Sequence, residues 1–168
     1  MLASLPVSRE LWLLRHGEAE PGNGIPDAER ALTARGDRQS TLAGQAFAAM
    51  GIEFALALTS PRVRAVATAR LACAPLSIDA AEYQPLSGGF DRDEALALLE
   101  AVPADARVLV VGHEPDFSQV VHDLTGARID LKKGGVAAVK VSGNQGELRV
   151  LMTPRELAQA AGQPRNPG

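Results

Sequence analysis

The sequence predicts a three-layer α/β/α sandwich with a mostly parallel central sheet that ends in a hairpin. Three observations carry this. Short apolar runs of strand length alternate with helix-like segments through most of the chain, the pattern of a sheet covered by helices on both faces. Two of the runs stop abruptly at a glycine–histidine pair, His16-Gly17 and Gly112-His113, as strands that feed loops do. The last two runs are joined by Gly143-Asn144-Gln145-Gly146, a hairpin signal. With 168 residues a single domain over 1–168 is expected, its core at about 9–161 and a frayed tail over 162–168.

Residues 10–15 form the first buried strand, and Pro21–Asp27, rich in Gly and Pro, a surface loop. Thr33 is a good N-cap for a helix with Leu42, Ala46, Phe47 and Met50 on one face, and Gly51 stops it. Phe54–Ser60 is a second strand. Ser60-Pro61 then starts a helix over about 61–73, with Ser60 as N-cap and Pro61 at the first helical position. Ser77–Glu82 is a weakly marked strand. Asp91-Arg92-Asp93-Glu94 reads as a capping box in front of Ala95–Leu99. Arg107–Val111 is the strongest strand signal, and a helix from about Pro115 to Leu124 follows, stopped at Gly126. Val136–Ser142 and Glu147–Met152 make the hairpin, and Pro154–Ala161 a last short helix.

Composition narrows the function. Apolar residues are 46% and charged residues 22%, ordinary for a globular chain. No apolar run approaches the ~18 residues of a spanning helix. No signal peptide is visible over Met1–Arg9 and Cys73 is the single cysteine, so a cytoplasmic protein without disulfides is expected. Seventeen basic against 20 acidic residues, net −3, argue against a nucleic-acid or membrane-surface binder. The basic residues are 14 arginines and three lysines, Lys132, Lys133 and Lys140. Genome composition accounts for most of that bias. A few arginines in a phosphate clamp would also fit, because the guanidinium fork matches phosphate oxygens two at a time.

His16 and His113 both lie at the carboxyl end of a predicted strand, where open α/β sheets bind ligands. The adjacent Gly17 and Gly112 would let backbone approach a ligand closely. One histidine could act as a nucleophile and the other as a hydrogen-bond donor, with arginines neutralising a transferring phosphoryl group. A metal site finds no support, as neither a His-x-x-x-His spacing nor a cluster of Asp is present.

Five segments in order then resemble one family. They are Arg15-His16-Gly17, Arg30-Ala31-Leu32-Thr33-Ala34-Arg35-Gly36, Ser60-Pro61-Arg62-Val63-Arg64-Ala65-Val66-Ala67-Thr68, Gly112-His113-Glu114-Pro115 and Lys132-Lys133-Gly134-Gly135. Together they resemble the histidine phosphatase (phosphoglycerate mutase-like) superfamily over about residues 11–153, and its SixA-type phosphohistidine phosphatases most of all. The resemblance implies His16 as nucleophile, Arg15 and Arg64 on the phosphoryl oxygens, His113 completing the pocket and Arg30 reaching in from its loop. Arg62, on a variable position of the motif, is expected at the rim or surface.

Larger members use a carboxylic acid after the third strand, which implies Glu82 here as general acid, with Glu18 as its rival. An acid matters most for an alkoxide leaving group. A phosphohistidine releases imidazole, whose reference pKa is only about 6.5. The resemblance to the SixA-type branch implies metal-independent and cofactor-free hydrolysis of phosphohistidine on a partner protein. A phosphatase of small phosphate esters and a non-catalytic phosphate-binding module are the alternatives; a mutase fits least. The segments 21–29 and 83–90 are too short for a helical lid, so an open pocket is expected. Lys132 and Lys133 are a solvated pair or a rim that attracts an acidic protein. Trp12 and Cys73 are read as core, and His122 as surface or packing.

Overall fold

The computed structural model describes residues 6–162. The expected tail, Gly162 apart, lies outside the described residues. The strands are β1 (Ser8–Arg15), β2 (Leu56–Thr59), β3 (Ala81–Glu82), β4 (Arg107–Gly112), β5 (Val136–Ser142) and β6 (Gln145–Met152). The helices are α1 (Ala34–Ala49), α2 (Val63–Cys73), α3 (Arg92–Glu100), α4 (Asp116–Thr125) and α5 (Pro154–Ala160). The strands form one mixed sheet in the order β3-β2-β4-β1-β5-β6. The four strands from β3 to β1 run parallel, and the β5–β6 hairpin is antiparallel. The fold is the α/β sandwich expected from sequence.

The central strands are apolar on both sides because helices cover both faces. Leu11 and Leu13 of β1 and Val108 and Val110 of β4 pack with Leu99 of α3 and Phe117, Val120 and Val121 of α4. Trp12, Leu14, Leu109 and Val111 point the other way, to Phe47 of α1, Ala65 and Ala69 of α2 and Leu157 of α5. Trp12, Phe47 and Phe54 meet edge to face with ring centroids 5.6–5.9 Å apart.

Register positions the site. Arg15 of β1 is paired with Gly112 of β4, so the next residues, His16 and His113, leave neighbouring strands side by side. The His16 N–H donates to the Gly112 carbonyl at 3.1 Å and the Ser60 N–H to the Val111 carbonyl at 2.9 Å, continuing the ladder to the site edge.

Several local expectations change. α1 starts on a Thr33 cap and stops at Gly51 as expected, yet Met50 is exposed and Ala43, Ala46 and Phe47 form the buried face. α2 starts at Val63, not 61, and Ser60 is not its N-cap: Arg62 occupies that position in extended conformation. β3 shrinks to two exposed residues at the sheet edge. Asp91 caps α3 by accepting from the Glu94 N–H, but the Glu94 carboxylate accepts from the Tyr83 hydroxyl, so the box there is half made. A complete capping box, Thr153 with Glu156, starts α5 instead.

Candidate active site

A cavity of about 360 Å³ opens beyond the carboxyl ends of β1, β2 and β4, and Arg15, His16, Arg30, Arg62, Arg64, His113 and Lys133 are among its lining residues. His16, Arg64 and His113 are 5%, 4% and 8% exposed. The two imidazoles face each other with centroids 5.2 Å apart.

His16 Nδ1–H donates to the Gly17 carbonyl at 2.7 Å. The proton is therefore on Nδ1 and the lone pair on Nε2, which faces the Arg64 Nε–H at 3.3 Å. Burial first, then the charges of Arg64, Arg15 and Lys133, push the His16 pKa down to about 4. The ring is neutral at pH 7, as a nucleophile requires.

His113 is fixed by a residue that sequence reasoning left at a helix cap. The Arg62 N–H donates to Ser60 Oγ at 3.2 Å, and Ser60 Oγ lies 2.7 Å from His113 Nε2. In the tautomer in which the Ser60 hydroxyl donates to Nε2, the imidazole proton sits on Nδ1. That atom is buried without a hydrogen-bond partner among the described residues. Burial, followed by the neighbouring His16, Arg64 and Arg62, lowers the His113 pKa to about 3. A neutral ring with a free Nδ1–H can donate to a phosphoryl oxygen without competing as a base.

The signature loop rests on close backbone packing. Gly17 approaches the backbone of Gly36: a Cβ on Gly17 would lie 2.7 Å from the Gly36 carbonyl oxygen. A Cβ on Gly112 would meet the Phe117 ring at 2.8 Å. The Gly17 N–H donates to Thr68 Oγ1, which donates in turn to the Arg64 carbonyl, tying the loop to α2. On the other side the Gly134 N–H donates to the His16 carbonyl at 2.9 Å, with Gly134 at φ 77°. This turn brings Lys133 to the cavity.

The arginines are organised by Asp27. Its carboxylate accepts from Arg30 Nε at 3.0 Å, from Arg64 Nη2 at 3.1 Å and from Arg62 Nη1, and its carbonyl accepts from Arg64 Nη1 at 2.7 Å. The hydrogen bond from Arg30, then that from Arg64, holds the Asp27 carboxyl below its ordinary pKa. Asp27 is not among the cavity-lining residues, though its carboxylate pairs with all three guanidinium groups. Arg62 thus stands at the rim of the site, one of its two expected places, with its side chain beside Asp27. The role of Asp27 was not legible, since it is 35 and 37 residues from Arg62 and Arg64.

Glu82 is not brought to the site. It pairs with Thr59 at the sheet edge and lines a separate cavity of about 710 Å³ with Arg70, Cys73 and Asp79. Glu18 accepts from Thr33 Oγ1 and Arg35 and does not line the histidine cavity. Two other carboxylates do line it. Glu114 accepts from the N–H and hydroxyl of Ser118, and Asp116 from the Gly89 N–H at 2.9 Å. Of the two segments expected to be too short for a lid, 83–90 forms part of the cavity wall through Ser87 and Gly88, whereas no residue of 21–29 is among the lining residues. Cys73 is buried as expected, its thiol pushed up to about 11 by burial. Trp12 is core and His122 exposed.

Comparison with known proteins follows this geometry. Residues 11–87 match the histidine phosphatase superfamily (branch 1). An uncharacterized protein of Picosynechococcus sp. is 32% identical over 162 residues, covering 88% of this chain and 98% of its own. The structure of the protein histidine phosphatase SixA complexed with tungstate superimposes with a TM-score of 0.77 at 25% identity, over 86% of this chain and 97% of that one. A protein of Nakamurella multipartitia assigned as a phosphohistidine phosphatase SixA gives 0.72 at 29% identity, over 89% and 98%. A phosphoglycerate mutase of Bacillus anthracis shares the fold, with a TM-score of 0.76 at 14% identity over 92% and 97%. With motif order, fold and the paired strand-end histidines in agreement, this chain belongs to the histidine phosphatase superfamily, on its SixA-type side.

Proposed function

We propose that this protein is a metal-independent phosphatase that works through a phosphohistidine on His16 and removes phosphate from phosphohistidine on a partner protein. The observation that carries the reading is the His16 ring, buried among arginines, with Nδ1–H held by the Gly17 carbonyl and the Nε2 lone pair turned to the Arg64 Nε–H at the cavity. Family membership supports a phosphatase. The choice of substrate rests on the state of the carboxylates.

In the first step the His16 Nε2 lone pair forms a bond to phosphorus as the substrate P–N bond breaks. The substrate ring carries a proton on its distal nitrogen, so the bonding pair leaves with it as neutral imidazole. Arg15, Arg64 and the His113 Nδ1–H offset the charge on the phosphoryl oxygens. In the second step water attacks phosphorus as the P–Nε2 bond breaks; the bonding pair returns to Nε2, the water's proton passes to solvent, and neutral His16 and inorganic phosphate result.

An alkoxide leaving group would need a strong proton donor. Glu114 and Asp116 in the cavity are occupied as acceptors for Ser118 and Gly89, and Glu82 lies elsewhere. Imidazole, with a reference pKa of about 6.5, leaves without such help. This favours the P–N bond.

The test compares a phosphohistidine protein, p-nitrophenyl phosphate and sugar phosphates, with and without chelator. Phosphohistidine is expected to turn over fastest and His16→Ala to abolish all activity. Glu82→Gln is expected to change nothing. Faster sugar phosphate hydrolysis would move the substrate to small esters, and phosphate binding without any turnover would leave a binding module. Undiminished His16→Ala activity, or loss of activity with chelator, would overturn the mechanism.

A further inference from the structure

A second groove runs on from the histidine cavity. It encloses about 530 Å³ and shares two walls with that cavity, Arg15 and Lys133. Its other cationic residues are Arg35, Lys132 and Arg155. Two carboxylates, Glu18 and Asp130, also line it, and each is already paired, with Arg35 and Lys132 respectively. Lys133 and Arg155 are exposed and make no ion pair among the described residues. Arg15 spends one nitrogen on the Leu131 carbonyl, and its buried Nε has no hydrogen-bond partner among the described residues.

This charge is a local reversal, because the whole chain carries net −3. An acidic partner is repelled by most of such a surface and attracted at one face, which favours encounter in the productive orientation. The groove is also held in place. The Arg15 N–H donates to the Gly135 carbonyl and the Gly134 N–H to the His16 carbonyl, so the Lys132-Lys133 turn is fixed to the loop that bears the nucleophile. Its volume lies in the ~300–1,000 Å³ range of ligand clefts, more than one phosphoryl group needs. Its outer cations are long, exposed side chains, suited to carboxylates on a moving chain more than to one rigid metabolite.

We infer that this groove is a substrate-docking subsite that takes acidic side chains flanking the phosphorylated histidine of the partner protein. The inference rests on the phosphohistidine reading and deepens it. A phosphoryl group seated at His16 would place its flanking residues along the Lys133 wall, where Lys133 and Arg155, unpaired among the described residues, meet their carboxylates and Lys132 can exchange Asp130 for one.

The test uses peptides with one phosphorylated histidine flanked by glutamates or by serines, and p-nitrophenyl phosphate as a substrate without flanks. The glutamate peptide is expected to show a kcat/KM about fivefold or more above the serine peptide, as a few exposed charge pairs would give. The preference should collapse at about 0.5 M salt. Lys132→Ser combined with Arg155→Ser should erase it and leave p-nitrophenyl phosphate unchanged. Binding of the same peptides to His16→Ala, read by fluorescence anisotropy, separates docking from turnover. A glutamate preference in binding without hydrolysis would keep the groove and remove the phosphatase reading. Equal binding of the two peptides, or a preference that survives the double variant, would overturn the groove. So would tighter binding of a sugar bisphosphate than of the glutamate peptide, lost in the same variant.

Discussion

Two carbonyl-level contacts decide the chemistry at the residue scale. The Gly17 carbonyl selects the His16 tautomer, and the Asp27 carbonyl anchors the outer edge of Arg64. The Asp27 carboxylate also draws Arg30 and Arg62 to the same point. Asp27→Ala is expected to raise KM for a phosphohistidine protein, and the inhibition constant of inorganic phosphate, about tenfold, with a smaller change in kcat. Tighter phosphate inhibition would mean that the carboxylate competes with phosphate instead of supporting its clamp. The strand-end residues Arg15, His16 and His113, and Arg64 near a helix start, were legible because local sequence sets their place. Asp27 and Ser60 were not, since their partners are remote in the chain. Glu82 misled because its position after the second helix says nothing about which side of an edge strand its side chain takes.

At the scale of elements, the β1 loop and the start of α1 meet backbone to backbone. A Cβ on Gly36 would lie 2.1 Å from the Glu18 carbonyl oxygen, with no flexible side chain to yield. Gly36→Ala is expected to cost about 1–3 kcal/mol or more, read from the denaturant midpoint, and to depress activity in the remaining folded protein by shifting the His16 loop. An unchanged midpoint would show that the contact relaxes freely. Strand and helix order was legible from apolar runs and caps. The start of α2 was not, because a Ser-Pro cap signal competes with the use of Ser60 by His113. The short β3 was hidden too, as its few residues lie exposed at the sheet edge and lack an alternating core face.

For the whole molecule, acid stability follows from the two buried imidazoles. An unfolded histidine binds a proton below about 6.5, whereas folded His16 waits until about 4 and His113 until about 3. Between these values the unfolded state holds more protons, so stability falls as pH drops from about 6.5 towards 4. Urea midpoints over that range should fall in the native protein and fall less in His16→Ala and His113→Ala. The layer order was legible because both sides of the central strands are apolar. Among the described residues, no helix is long and apolar enough to cross a membrane.

The pairing of Arg15 with Gly112 also sets how this protein should fail. The gap between the two imidazoles is inherited from the spacing of adjacent strands, about 4.8 Å, and not from a loop that can wander. No softer part has to close for the histidines to meet. Catalysis and the central ladder are therefore expected to share one melting curve. On slow heating, inactivation should coincide with loss of the far-ultraviolet circular dichroism signal, and an activity loss that runs ahead of it would uncouple the site from the sheet.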